Sequence, residues 1–499
     1  MTGPYILALD EGTTSARSIA FDRSGAVIAS SQREFEQMYP TPGDVRHDPE
    51  AIWAAQLATA REVIAAVGGA EAIAAVGVTN QRETAVVWER SGGRPVADAI
   101  VWQSRVTAPF CEQLREAGHE PLVRAKTGLP LDAYFSGPKF RQILLEDPSL
   151  RPRAEAGELA AGTVESFLIW RLTGGRVHVS DVSNASRTLL LDIHQAAWDD
   201  ELLRLMEVPA PLLAAVRSSS EIYSETDPGL FGRSIPIAGS AGDQQAATFG
   251  QACYAAGEAK VTLGTGAFLL ANTGSEPVAS AHGLLATIGW QLGPTAPLVY
   301  AAEGSVFVTG AAVQWLRDGL GLIGRSADVE ALAARADDSG GVVFVPAFVG
   351  LGAPYWDPDA RGMIVGLTRG SGAAEIARAT LDAIAFQVRD VVEAMDADLH
   401  SPLTGLRVDG GGASDLVCQL IADQLGRPVE RPVVRETTAF GAAALAGLAV
   451  GFWSDPGEIA AIRAVDRRFA PAGSNDRREA DYRAWQRAVE RSRGWAASG

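Results

Sequence analysis

Two stretches of this chain, LALDEGTTSARSIAFD at 7–22 and AKVTLGTGAFLLANTG at 259–274, share one pattern. An apolar run leads into a short turn of small and hydroxyl residues, and a second apolar run follows. Each reads as a β-hairpin, because strands joined by a turn show this punctuation. A length of 499 residues is more than one core usually holds. The repeated hairpin therefore predicts two related domains facing each other across a cleft. The boundary is expected around 245–257, near CYAAGEA, dividing a unit of 1–250 from one of 251–499.

The rest of the chain reads as strands mixed with helices, an α/β class. Strands are expected at 5–10, 17–22, 26–31, 73–79 and 84–88, with a buried strand at 234–241. Asp48-Pro49-Glu50 opens a helix that runs through AIWAAQLATAREVIAAVG to a glycine stop. A long helix is expected from about 373 to 398, with Ile376, Leu381, Ile384, Val388, Val391 and Met395 near one face. GLRVDGGGAS at 405–414 reads as a strand entering a glycine turn before another helix. TTAFGAAALAGLAVGFWS at 437–454 is too short and too rich in Ala and Gly for a membrane span and reads as a buried helix. No integral membrane segment and no signal peptide are expected.

Charge narrows the function. Lys and Arg total 43 against 60 Asp and Glu, a net charge of −17, which argues against nucleic acid as a partner. Only three of the basic residues are lysines (Lys126, Lys139, Lys260), and none follows a glycine. A Walker A loop is thereby excluded, since its lysine must reach the β and γ phosphates. A nucleotide would have to be held by hydroxyls, backbone amides, arginine and metal. Gly12, Thr13, Thr14 and Ser15 offer such donors to phosphate oxygens. Arg17 adds a permanently charged fork, and Asp10 could hold Mg²⁺ through water. The competing reading is a surface hairpin with a polar turn. Cys111, Cys253 and Cys418 are odd in number and far apart, which suggests neither disulfides nor zinc and fits a reducing cytoplasm.

Other motifs carry chemistry only in combination. AGDQQAATFG puts Asp243 between an apolar strand and a helix, where it could cap the helix or act as a general base, with Gln244 beside it. NQRET puts Arg82 and Glu83 at the end of a buried-looking strand, as a salt-bridged strand end or as a polyol pocket. IVWQSR and AYFSGPK supply Trp102, Tyr134 and Phe135, which alone would be core. LGTGAF and VDGGGAS allow close approach to backbone, and neither is a dinucleotide fingerprint.

Together NQRET, IVWQ, GTVESFLIW, HVSDVSNASRT, AGDQQAATFGQ, GTGAF, GLGAPYWDPDARG, GLTRG and RVDGG resemble the FGGY carbohydrate kinases, nearly end to end. Within them the match is to members acting on glycerol. The resemblance implies two actin-like (ribonuclease H-like) domains around a central cleft. It implies ATP-dependent phosphorylation of glycerol to glycerol 3-phosphate, with ATP and Mg²⁺ bound and a homo-oligomer, dimer or tetramer, as the assembly. Glycerol contacts fall on Arg82, Glu83, Trp102, Tyr134, Asp243, Gln244 and Phe268, with Asp243 as the base and Arg17 on the transferring group. Nucleotide contacts fall on Thr13, Thr14, Ser15, Arg17, Thr265, Gly310, Gln314 and Gly411. Asp415 stands near the adenine where Asn is usual, Glu11 where Gln is common, Val106 where a second Arg is common, and Gln142 where Trp is usual. SETDPGLFGRS at 224–234 has one Arg and no His, so neither fructose 1,6-bisphosphate nor phosphohistidine control is expected. A kinase of the same family acting on another polyol or sugar is the near alternative. An actin-like ATPase is the distant one, and it would not need Asp243 with Arg82, Glu83 and Trp102.

Overall fold

The computed structural model describes residues 3–399 and 402–496. The first half is built on a six-stranded sheet: β1 (Tyr5–Glu11), β2 (Ser15–Phe21), β3 (Val27–Glu34), β4 (Ile73–Asn80), β5 (Ser220–Glu225) and β6 (Pro236–Gly242), in spatial order β5-β6-β4-β1-β2-β3. β1, β2 and β3 are antiparallel neighbours, whereas β4 and β6 run parallel to β1. The second half carries β7 (Ala259–Leu263), β8 (Ala267–Gly274), β9 (Leu285–Gln291), β10 (Leu298–Val306), β11 (Leu406–Asp409), β12 (Val429–Pro432) and β13 (Val465–Phe469), in order β9-β10-β8-β7-β11-β12-β13. Here β7, β8 and β10 are antiparallel, and β11 and β12 continue parallel to β7. Both halves thus share a core of a hairpin, a third antiparallel strand and two parallel strands. This is the topological form of the hairpin repeat seen in the sequence.

The helices include α1 (Pro49–Ala66), α2 (Asp243–Gly250), α3 (Gly310–Asp318), α4 (Ala373–Asp398), α5 (Asp415–Leu425) and α6 (Thr437–Ala449). The Asp48 side chain caps α1 by accepting from the Glu50 amide, with Pro49 as the first helical residue. Side chains of β1 alternate between two cores. Tyr5, Leu7 and Leu9 join Ile52, Val63 and Ile64 of α1, while Ile6 and Ala8 join Ala439, Ala443 and Ala446 of α6. A sheet covered on both faces reads as a continuous apolar run, which is why YILAL shows no polar alternation.

The expected buried helix at 437–454 is α6, shorter than the stretch read and apolar all round. Although it comes late in the chain, it packs on β1, β4 and β6 of the first sheet and against α2. Small residues permit this approach: a Cβ on Gly77 would lie 2.1 Å from the Ala442 carbonyl oxygen, and one on Gly441 would lie 1.8 Å from that of Ala246. Among the described residues no helix is long and apolar enough to cross a membrane. The three cysteines are buried and unpaired.

Candidate active site

The loop Gln81–Thr84 leaves the end of β4 and enters a small four-stranded sheet that includes Ala85–Glu89 and Ala99–Ile100. Glu83 there adopts φ 63°, in the left-handed region that costs a non-glycine residue about 1–2 kcal/mol. Its carbonyl accepts from the Ser136 hydroxyl at 3.2 Å and from Lys139 Nζ at 3.3 Å. Lys139 is wholly buried and also donates to the carbonyls of Tyr134 and Phe135. Burial pulls its amine down to about 7. This lysine ties the Glu83 loop to the Tyr134 loop.

Arg82 is buried at the junction of the halves. It donates to Glu303 on β10 at 2.5 and 3.0 Å and lies 3.2 Å from Asp243 Oδ1 through Nε. Arg187 donates to Glu83 at 2.6 Å and to Glu303 at 3.1 Å. Two buried arginines therefore face two buried glutamates. Burial alone would raise the Glu303 carboxyl, but Arg187 and Arg82 hold it at about 2. Glu83 is raised by burial against the pull of the same arginines. Buried charges persist only when paired and hydrogen-bonded, and here each pair supports the other.

Asp243 is the group of this cluster that opens outward. Its side chain is 32% exposed, against 1% for Arg82 and 0% for Glu303. It starts α2, and its Oδ1 accepts from the Gln244 amide at 2.8 Å. The N-cap is Gly242 and no side chain caps this helix, so Asp243 is its first residue and not its cap. Gln244 Nε2 donates to Asp243 Oδ2 at 3.2 Å, while Gln244 Oε1 accepts from buried Lys260. Trp102 pairs edge-to-face with Tyr134 at 5.8 Å and with Phe268 of β8 at 6.3 Å between ring centroids. Arg82 also donates to the Tyr134 hydroxyl at 3.4 Å. All seven expected glycerol positions are therefore linked by direct contacts into one group.

The first hairpin lies beside this group, since Trp102 Nε1 donates to the Thr13 hydroxyl at 2.9 Å. Thr14 is exposed at the tip. Ser15 is buried, and its hydroxyl accepts from Gln32 at 2.8 Å. Asp10 sits opposite Arg17 in the β1–β2 register. Burial pushes its carboxyl up to about 6 against the pull of Arg17, with Glu436 and Asp243 adding to the rise. Arg17 itself is bound to Glu436. Among the described residues no three His, Cys, Asp or Glu side chains form a metal cage. A single strand-end carboxylate fits Mg²⁺, which keeps several waters and takes phosphate oxygens as its other ligands.

The second hairpin turn packs on the start of α3. The Gly264 carbonyl accepts from Gly310 N at 3.1 Å, and the Thr265 carbonyl accepts from Thr309 N and Ala311 N. A side chain on Gly310 would meet the Gly264 oxygen at 2.5 Å. Gln314 is exposed one helical turn further along α3. Gly412 N bonds the Leu263 carbonyl at 2.9 Å, which brings the glycine turn to the end of β7, with Gly411 open to solvent. Asp415 is not a free carboxylate beside this turn. Its oxygens are taken by Arg431 at 2.7 Å and by Arg467, so it ties α5 to β12 and β13.

The sequence reading missed Glu303, Arg187 and Lys139. Arg187 lies inside HVSDVSNASRT, and Lys139 ends AYFSGPK. Glu303 had the clearest signal, a lone acid in the apolar strand LVYAAEGSV.

A partly exposed carboxylate on a buried arginine–glutamate cluster, with a hydroxyl-rich hairpin turn joined to the same group through Trp102, suits a phosphoryl-transferring enzyme. The chain belongs to the FGGY family of carbohydrate kinases: the family's N-terminal domain matches residues 5–250 and its C-terminal domain residues 259–450. Within that family its full-length similarity is to glycerol kinases. It is 56% identical over 499 residues to the glycerol kinase of Symbiobacterium thermophilum, covering 100% of both chains. It is 54% identical over 493 residues to glycerol kinase 2 of Thermotoga maritima, covering 98% of this chain and 99% of the other. The crystal structure of Plasmodium falciparum glycerol kinase with ADP superimposes with a TM-score of 0.91, at 32% identity over 98% of each chain. Gluconate kinase from Lactobacillus acidophilus, at 23% identity and TM-score 0.87, shares the fold.

Proposed function

We propose that this protein is a glycerol kinase, transferring the γ-phosphoryl group of ATP to a terminal hydroxyl of glycerol to give sn-glycerol 3-phosphate and ADP. The observation that carries the reading is the placement of Asp243. Its partly exposed carboxylate lies 3.2 Å from Arg82 Nε, and Arg82 donates to the Tyr134 hydroxyl, whose ring packs with Trp102 and through it with Phe268. Trp102 and Phe268 flank the carbon chain, while Arg82, Glu83, Tyr134 and Gln244 fix its hydroxyls. As the terminal oxygen attacks the γ-phosphorus in line, Asp243 accepts its proton, and the bond to the β–γ bridging oxygen breaks with ADP as leaving group. Arg17, Thr13 and Thr14 stabilise charge on the transferred group. The turns around Thr265, Gly310, Gln314 and Gly411 hold the nucleotide. Asp10 would hold Mg²⁺, which when bound would supply charge neutralisation on the phosphates. Phosphoryl transfer needs mostly positioning and charge stabilisation, which a rigid buried ion cluster provides. Three buried unpaired cysteines fit a cytoplasmic enzyme.

A coupled assay of ADP release over a panel of acceptors tests this. Glycerol is expected to be turned over best, and Asp243→Asn is expected to lose at least about 10²-fold in kcat while retaining glycerol binding. Equal or better turnover of xylulose, gluconate or erythritol would sink the substrate, and near-normal turnover by Asp243→Asn would sink the base.

A further inference from the structure

Arg17 makes one contact that the reaction above leaves unused. From β2 of the first hairpin its guanidinium donates to Glu436, in the second half of the chain. Glu436 immediately precedes α6. The next residue, Thr437, donates to Asp409 Oδ2 at 2.6 Å, and the same oxygen accepts from Gln251 at 2.7 Å. Asp409 ends β11, where the glycine turn begins, and Gln251 follows α2, which starts with Asp243. Glu436 is thus fixed against the phosphate hairpin, the glycine turn and the helix of the base.

Arg17 is held between competing anions. Asp10 faces it in the strand register, and the charges of Arg17, Glu436 and Asp243 are all felt at Asp10. Arg17 Nε is buried and has no partner, whereas the Arg17–Glu436 pair is 28% and 44% exposed. A half-exposed pair of this kind is weak, and a phosphoryl group offers the guanidinium several ionised oxygens as charge-assisted acceptors in place of the carboxylate. Building on the kinase reading, we propose that Glu436 is a positioning residue. It is the resident anion that holds Arg17 beside the hairpin until the γ-phosphoryl group replaces it, and it takes Arg17 back when the products leave.

Removing the charge of Glu436 frees Arg17 for phosphate, so Glu436→Gln should bind β,γ-imido ATP with Mg²⁺ about two- to fivefold more tightly, as expected from the small worth of an exposed pair. Glycerol affinity should stay unchanged, and Glu436→Asp, which keeps the charge, should stay within about twofold of the parent. The decisive measurement is a double-mutant cycle by titration calorimetry, with Glu436→Gln made in the parent and in Arg17→Gln. The gain in nucleotide affinity should vanish in the Arg17→Gln background. The same gain in both backgrounds, or no gain in the parent, overturns the proposal, and thermal melts check that each variant is folded. A parent protein lacking glycerol-dependent ADP release would instead overturn the kinase reading, so the two failures are separable.

Discussion

Glu303→Gln removes one charge from the buried cluster without changing side-chain size. Glu303 accepts from Arg82 at 2.5 and 3.0 Å, from Arg187 at 3.1 Å and from Ser305 at 3.3 Å, and it is 0% exposed. Glutamine keeps one good acceptor, so at least one guanidinium N–H is orphaned and the buried charges no longer balance. At an effective dielectric of 20, a charge pair about 4 Å apart is worth roughly 4 kcal/mol, and breaking a buried pair costs about 3–5 kcal/mol. If a unit of about 250 residues melts together, 3 kcal/mol lowers Tm by roughly 6 °C. Arg82 also loses its anchor, so the KM for glycerol should rise about tenfold, the equivalent of 1.4 kcal/mol. Differential scanning calorimetry and initial-rate kinetics on the same preparation read both effects. A Tm within about 1 °C of the parent, with unchanged KM, would refute the claim that this cluster is held by mutual charge balance.

Three further outcomes follow from other parts of the structure. Gly441→Ala puts a methyl 1.8 Å from the Ala246 carbonyl oxygen, whereas Gly92 has nothing within 4 Å; the first should cost about 1–3 kcal/mol or more by overpacking and the second should leave Tm within a degree or so. Asp390 is buried between Tyr482 at 2.7 Å and Trp485 at 2.8 Å, and burial raises its carboxyl to about 7 against the pull of those donors. Between about pH 4 and 7 the folded chain keeps this proton and the unfolded chain loses it, so the group's contribution to stability falls as pH rises; Asp390→Asn should flatten that dependence in melts from pH 4.5 to 8, and an unchanged slope would count against it. With no metal cage among the described residues, EDTA should abolish turnover, added Mg²⁺ should restore it, and calorimetry without nucleotide should detect only weak Mg²⁺ binding, roughly millimolar.

Local signals were legible wherever they were complete in a short window. The Asp48-Pro49 start was found as a capped helix, and the 373–398 periodicity as α4. NQRET, IVWQ and AGDQQ each put a charge or an aromatic residue near a strand end, and the fold brings Arg82, Trp102 and Asp243 into one linked group; reading them as polyol contacts rested on the family resemblance. Residues whose roles depend on remote partners were not legible. Glu303 looks like a misplaced acid until Arg82 and Arg187 are brought against it. The pairing of Asp415 with Arg431 and Arg467, which ties α5 to β12 and β13, appears only in the folded chain. The Glu436 partner of Arg17, 419 residues away in the chain, is likewise visible only in the folded chain.

By itself the sequence determined the α/β class, the doubled hairpin, the absence of a P-loop lysine and the residue types available for phosphate and polyol, because turn chemistry and periodicity act over a few neighbours. The tertiary structure alone decided which charges neutralise one another and that α6, encoded in the second half, closes the core of the first sheet. Close packing of Gly77 and Gly441 against backbone and pairing of buried charges are both set by atoms about a hundred or more residues apart in the chain, and only the folded chain brings them within a few ångströms.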